Sequence, residues 1–112
     1  MSDVNEANVN LDAIPEPEWT ADRVVYELDC VEMTSREAAY DVISRVLPMP
    51  LWFGRNLDAL EDSLWEIPPC EVVLHNVDAL AQLGDYGDDL LQVFLDVSER
   101  RKALKVRVSS EA

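Results

Sequence analysis

The sequence predicts a small α/β domain: a two-layer fold with a three-stranded parallel sheet packed by about four helices. Stretches with strand-like alternation or a continuous apolar run occur three times. Stretches with apolar residues at helical spacing separate them. Because helical connections between successive strands allow parallel pairing, the order β-α-α-β-α-α-β implies a parallel sheet. The 112 residues suffice for one such domain with a sizeable core.

Alternation predicts the first strand, and a capping signal predicts the first helix. In residues 24–30, VVYELDC, alternate apolar side chains share one face: Val24, Tyr26, Leu28 and Cys30. Thr34 or Ser35 then caps a helix, because a glutamate follows the threonine at the capping-box spacing. This helix runs to about Val46, and the prolines of LPMPLWFG (47–54) end it.

A second helix is expected over about 55–65, with Leu57, Leu60 and Leu64 as its buried stripe. The continuous apolar run EVVLHNV (71–77) is typical of a central strand.

The last part of the chain completes the alternation. Residues 78–83 make about one helical turn. GDYGDD (84–89) is expected to form a loop in which aspartates cap the next helix. That helix covers 90–103, and the alternating stretch LKVRVSS (104–110) predicts an edge strand.

Charge limits the classes of partner. With 9 Lys+Arg against 23 Asp+Glu, the net charge is −14, which disfavours nucleic acid and anionic membranes and favours cationic surfaces. No apolar run approaches the roughly 20 residues of a membrane span. No signal peptide is recognisable, so we expect a cytoplasmic protein. Residues 1–22 are acidic and aperiodic, and we expect a mobile N-terminal extension before a domain at 23–110.

The two cysteines are expected to stay reduced. Cys30 ends the first strand and Cys70 precedes the second, which places them at opposite ends of parallel strands, on the order of 15–20 Å apart at about 3.3 Å per residue. A disulfide needs Cα atoms within about 7 Å.

The second helix carries an acidic face. Asp58 and Asp62 lie about 40° apart on it, away from the leucine stripe, and Arg55 lies one turn earlier. Like charges at this spacing weaken a helix by only a few tenths of a kcal/mol. Helix physics alone therefore leaves open a solvated acidic face, and also Mg²⁺ binding by the two aspartates.

Residues 52–64, WFGRNLDALEDSL, closely resemble the signature of the barstar family of small ribonuclease inhibitors, in which an aromatic pair, a glycine, NLDAL and a second aspartate recur. LQVF (91–94), followed by Asp96, is similar to the family's last helix. The resemblance covers about residues 23–110. It implies a protein, not an enzyme, that blocks a nuclease active site with the second helix and the loop before it.

Carried over to this chain, the resemblance implies an interface without cofactor or metal. Its residues are Trp52, Phe53, Gly54, Asn56, Leu57, Asp58, Glu61, Asp62 and Asp96. Two positions depart from the family pattern: Arg55 stands where an acidic residue is common, and Glu61 where the namesake inhibitor has a tryptophan. The implied partner is a basic ribonuclease of the extracellular or toxin type, bound 1:1. The alternative is an acidic interaction or regulatory module that keeps the fold but binds no nuclease.

Overall fold

The computed structural model describes residues 24–110, which form a three-stranded parallel sheet and its connecting helices. The strands and α-helices are β1 (Val24–Asp29), α1 (Arg36–Val46), α2 (Leu57–Glu66), β2 (Cys70–His75), α3 (Asp85–Arg100) and β3 (Leu104–Val108). Two 3₁₀ helices, Cys30–Glu32 and Val77–Leu83, follow β1 and β2. The sheet order is β1-β2-β3 with both pairings parallel. The predicted fold class, the central second strand and the edge position of the last strand are confirmed.

The register of the sheet explains why the cysteines stay apart. Val24 of β1 lies opposite Cys70, and Asp29 lies opposite His75. Cys30 therefore follows the carboxyl end of β1, while Cys70 begins β2 at the other end of the sheet. Both thiols are free and buried, as expected. Burial raises the pKa of each of them.

The core lies between one face of the sheet and the helices. Its fully buried side chains include Leu28, Ile43, Leu60, Leu64, Val72, Leu74, Leu90, Phe94 and Val97. The predicted stripe of α2 supplies Leu60 and Leu64, whereas Leu57 is only half-buried. No helix within residues 24–110 is both long and apolar enough to cross a membrane.

Side-chain caps set the starts of α1 and α2. Of the two predicted caps for α1, Ser35 takes the position: its Oγ accepts the backbone N–H of Ala38 at 3.0 Å. Asn56 caps α2 in the same way, accepting the N–H of Ala59 at 2.8 Å. Because Arg55 has a φ of 58°, it cannot belong to the helix, and α2 begins two residues later than predicted.

The prediction of a loop at 84–89 is wrong. These residues make the first turns of α3, which starts at Asp85. The expected capping by aspartate is also wrong, since Gly84 holds the N-cap position without a side-chain hydrogen bond. Asp85 and Asp88 instead lie within the first turn, where negative charge favours the helix dipole. The helix ends at Arg100, three residues earlier than expected, and β3 ends at Val108.

The predicted N-terminal extension, residues 1–22, lies outside the described residues, so it stays a prediction.

Candidate partner-binding surface

The candidate surface begins in the α1–α2 loop, residues 47–56. Leu47 follows the last turn of α1, yet the guanidinium of Arg55 reaches the carbonyl of Glu37 near the start of that helix. The loop therefore runs back along α1 before α2 begins. Its backbone turns through a hydrogen bond in which Phe53 donates its N–H to the Pro50 carbonyl at 3.0 Å.

Two apolar side chains of this loop are exposed. Leu51 is fully open to solvent and Trp52 is 56% exposed. Burial of such side chains on folding would be favourable by roughly 1.5–3 kcal/mol each, so their exposure leaves that free energy available for a contact with another surface. Leu51 is an addition to the predicted set. A leucine between proline and tryptophan, in a segment that cannot be helical, was the signal that could have found it.

The neighbouring aromatic residue, Phe53, points inward. Its ring makes an edge contact with the ring of Tyr40 on α1, with centroids 5.8 Å apart. Tyr40 is buried, and its hydroxyl lies 2.6 Å from the hydroxyl of Tyr86 on α3. Burial, together with the Tyr86 hydroxyl, raises the pKa of Tyr40, so the Tyr40 hydroxyl keeps its proton and is available for this bond. Arg36 lies over the Tyr86 ring at 4.1 Å.

Gly54 and Asn56 shape the end of the loop. Gly54 is exposed, and its carbonyl accepts a hydrogen bond from the Asn56 side chain at 3.4 Å. Because the same side chain caps α2, Asn56 acts first as a structural residue that orients the helix. Both were predicted to contact a partner, and both lie on the surface beside Trp52.

α2 presents the two predicted aspartates to solvent. Asp58 and Asp62 are exposed and one helical turn apart. Within residues 24–110, neither carboxylate forms an ion pair. Arg55, which the sequence placed near this pair, turns away and binds Asp41 of α1 at 2.5 Å. The two negative charges are therefore left uncompensated at fixed spacing on a rigid element.

Glu61 behaves differently from its neighbours. Its carboxylate accepts a hydrogen bond from Arg100 of α3 at 3.0 Å, which ties the two helices together. The guanidinium of Arg100 also lies 5.5 Å from the ring of Trp65, which is 39% exposed. The partner of Glu61 is 39 residues away, so no local pattern in the sequence predicts its pairing with Arg100.

Asp96 is exposed on α3 and accepts a hydrogen bond from Gln92 at 2.8 Å. It lies four residues before Arg100, hence on the same side of the helix as the residue that contacts α2. The structure thus places six of the nine predicted residues on the surface of the loop and α2, and adds Asp96 from the adjoining helix. It turns Phe53 inward and leaves Leu57 half-buried against the core.

The other ionisable groups suggest no metal centre. Among the described residues, no group of three or more His, Cys, Asp or Glu side chains is placed to hold a metal ion. His75 is the last residue of β2, and its Nε2 lies 2.6 Å from the carboxylate of Glu27 on the neighbouring strand. It is therefore a strand-end histidine paired with a carboxylate.

The comparisons with known proteins identify the family of this chain. Residues 23–111 match the family model described as Barstar (barnase inhibitor). The chain is also similar to a protein of Bacillus subtilis (strain 168) that carries the name "Putative ribonuclease inhibitor YrdF": the two are 36% identical over 78 residues, which are 67% of this chain and 86% of that protein. The match covers most of the chain and includes the whole candidate surface, so this protein belongs to the barstar family.

Proposed function

We propose that this protein inhibits a basic ribonuclease by placing α2 and the α1–α2 loop over the nuclease active site. The observation that carries the proposal is the pair Asp58 and Asp62. They are exposed and free of ion pairs among the described residues, and the loop that leads into their helix exposes the apolar side chains of Leu51 and Trp52. Family membership supports the same role.

The chemistry of a ribonuclease explains why such a surface binds. Its active site holds cationic side chains that bind the phosphates of RNA. A carboxylate can occupy a phosphate position and accept two parallel hydrogen bonds from arginine. Because α2 holds Asp58 and Asp62 at a fixed spacing before binding, little ordering cost remains to be met in the complex. The exposed side chains of Leu51 and Trp52 supply the desolvated contact that usually carries affinity.

The overall charge favours the encounter. At −14, the protein attracts a basic enzyme and orients it before contact. Binding should therefore weaken as salt rises, mainly through a slower association rate.

In this proposal the protein works without a cofactor and catalyses no reaction. It acts in the cytoplasm of the cell that makes it, as an immunity protein that protects RNA from the cell's own nuclease or from a neighbour's toxin. One inhibitor blocks one nuclease, since a single active site can accommodate a single α2.

The test is a titration of ribonuclease activity, with barnase and other basic ribonucleases as probes. Inhibition by the parent protein should be complete at a 1:1 ratio. Asp62→Ala should weaken binding by about 2–5 kcal/mol, because cationic groups of the nuclease then lie buried and unpaired. The same change should leave folding stability equal or slightly higher, by a few tenths of a kcal/mol, because repulsion from Asp58 is relieved.

Asp78→Ala is the matched control. It also removes one exposed carboxylate, but from the second 3₁₀ helix, which packs mainly against α3 and the first 3₁₀ helix. It should change affinity only through the net charge. Equal binding by Asp62→Ala and the parent would show that α2 is a solvated face. Failure of the parent to inhibit any basic ribonuclease would favour the alternative, an interaction module that keeps the fold.

A further inference from the structure

We infer that α1 is the template that holds the α1–α2 loop in its binding conformation, with Asp41 and Tyr40 as positioning residues outside the contact surface. This inference rests on the proposed function and extends it to residues of a different helix. The contacts that carry it are the Arg55–Asp41 ion pair and the Phe53–Tyr40 ring contact.

Arg55 has an unfavourable backbone conformation, and its side chain makes two contacts with α1 that offset this cost. Its φ of 58° lies in the left-handed region, which costs a residue with a Cβ about 1–2 kcal/mol. One guanidinium nitrogen donates to the Asp41 carboxylate at 2.5 Å and lies 3.3 Å from the carbonyl oxygen of Glu37. Both acceptors belong to α1, so they hold the loop against that helix at the residue just before the Asn56 cap.

A second contact fixes the loop two residues earlier. The Phe53 ring packs on Tyr40, the residue of α1 next to Asp41. Tyr40 is itself fixed by burial and by the hydroxyl of Tyr86. Phe53 and Arg55 therefore face α1, while the residues that precede and separate them, Trp52 and Gly54, face solvent.

This arrangement accounts for the arginine that departs from the family pattern. A cation on the contact surface would repel a basic nuclease. Here the charge of Arg55 is directed to α1 and paired with Asp41, so it leaves the carboxylates of Asp58 and Asp62 unneutralised. Arg55 thus supports the loop from the side of α1, and its charge is paired with Asp41 and not with Asp58 or Asp62.

The experiment compares Asp41→Ala with a matched control in the full chain. Glu32→Ala breaks another exposed ion pair of α1, the one with Arg45 at 2.8 Å, which does not involve the loop. The first readout is ¹⁹F NMR of the free protein labelled with 5-fluorotryptophan, with the Trp52 signal assigned by Trp52→Phe. The second is the dissociation constant for the ribonuclease that the parent inhibits.

Asp41→Ala should move the Trp52 signal toward that of free fluorotryptophan and weaken binding about two- to fivefold, the range of an exposed ion pair. Glu32→Ala should leave both unchanged. Because Arg55 acts through Asp41, the double variant Asp41→Ala/Arg55→Ala should bind no more weakly than the weaker of the two single variants.

Two results would overturn the inference: a Trp52 signal in Asp41→Ala identical to that of the parent, or additive losses in the double variant. If the parent binds no ribonuclease, the proposed function fails, but the ¹⁹F comparison still decides whether α1 holds the loop.

Discussion

Gly87 offers a sharp test of the packing of α3, because two physical effects there have opposite signs. Gly87 lies in the first turns of α3 and is buried. In an exposed helix interior, alanine is more stable than glycine by about 0.8–1.0 kcal/mol. Here, however, an added Cβ would overlap the carbonyl oxygen of Leu80 and lie 2.9 Å from its carbonyl carbon. Leu80 belongs to the second 3₁₀ helix, so the obstacle is backbone and cannot rotate away.

The overlap should dominate. Overpacking destabilises a protein by about 1–3 kcal/mol, and an overlap with backbone falls in the upper part of that range, about 2–3 kcal/mol. Subtracting the helix preference for alanine, about 1 kcal/mol, leaves a net loss of about 1–2 kcal/mol. This net loss corresponds to a fall in melting temperature of roughly 4–16 °C for a domain of this size. Local damage to the start of α3 should also loosen Tyr86, which binds the Tyr40 hydroxyl.

The assay is thermal and urea unfolding of three single variants, since the chain has three glycines. At Gly54 an added Cβ makes only an ordinary contact of 3.4 Å with Ala59, so Gly54→Ala is the neutral control. Gly84 has open space around it but a φ of 64°, so Gly84→Ala is destabilised by backbone strain alone, by about 1–3 kcal/mol. A Gly87→Ala variant as stable as the parent, or more stable, would refute the close approach of α3 to Leu80.

Two further measurements test the interior. Ser63→Ala should raise the free energy of unfolding by about 1 kcal/mol, because the fully buried Ser63 hydroxyl has no hydrogen-bond partner among the described residues; a loss of stability in urea unfolding would contradict this. Burial raises the pKa of Cys30 from 9.0 to about 11, so between these pH values the unfolded chain releases this proton while the folded protein keeps it, and stability should fall as pH rises. Urea unfolding between pH 7 and 11 checks this, with Cys30→Ala expected to reduce the slope; constant stability across the window would show that the thiol is accessible.

The sequence was sufficient where the physical cause is local. The alternation of strands and helices, the central position of β2 and the stripe of Leu60 and Leu64 follow from periodicity and from the rule that helical crossovers join parallel strands. The spacing of Asp58 and Asp62 likewise follows from helix geometry alone, which is why α2 could be recognised as an acidic face.

The start of α3 shows where local reasoning failed. Two glycines and three aspartates within 84–89 are typical of a loop, and the sequence contains no sign that Gly87 serves a contact with Leu80. A glycine used for close packing and a glycine used for a turn look identical in a sequence. Only the close approach of the second 3₁₀ helix to α3 shows that Gly87 serves packing and not a turn.

The candidate binding surface shows the same difference between local and long-range causes. That α2 carries carboxylates was readable from its residues, but which of those charges remain free was decided by partners on other helices. Arg55 finds Asp41 at a separation of 14 residues, and Arg100 finds Glu61 at 39. The periodicity of the sequence does not reveal such ion pairs, because they depend on how the helices pack. The sequence predicted which residues would meet a nuclease. The tertiary structure decided that Glu61 is paired with Arg100, while Asp58 and Asp62 form no ion pair within residues 24–110.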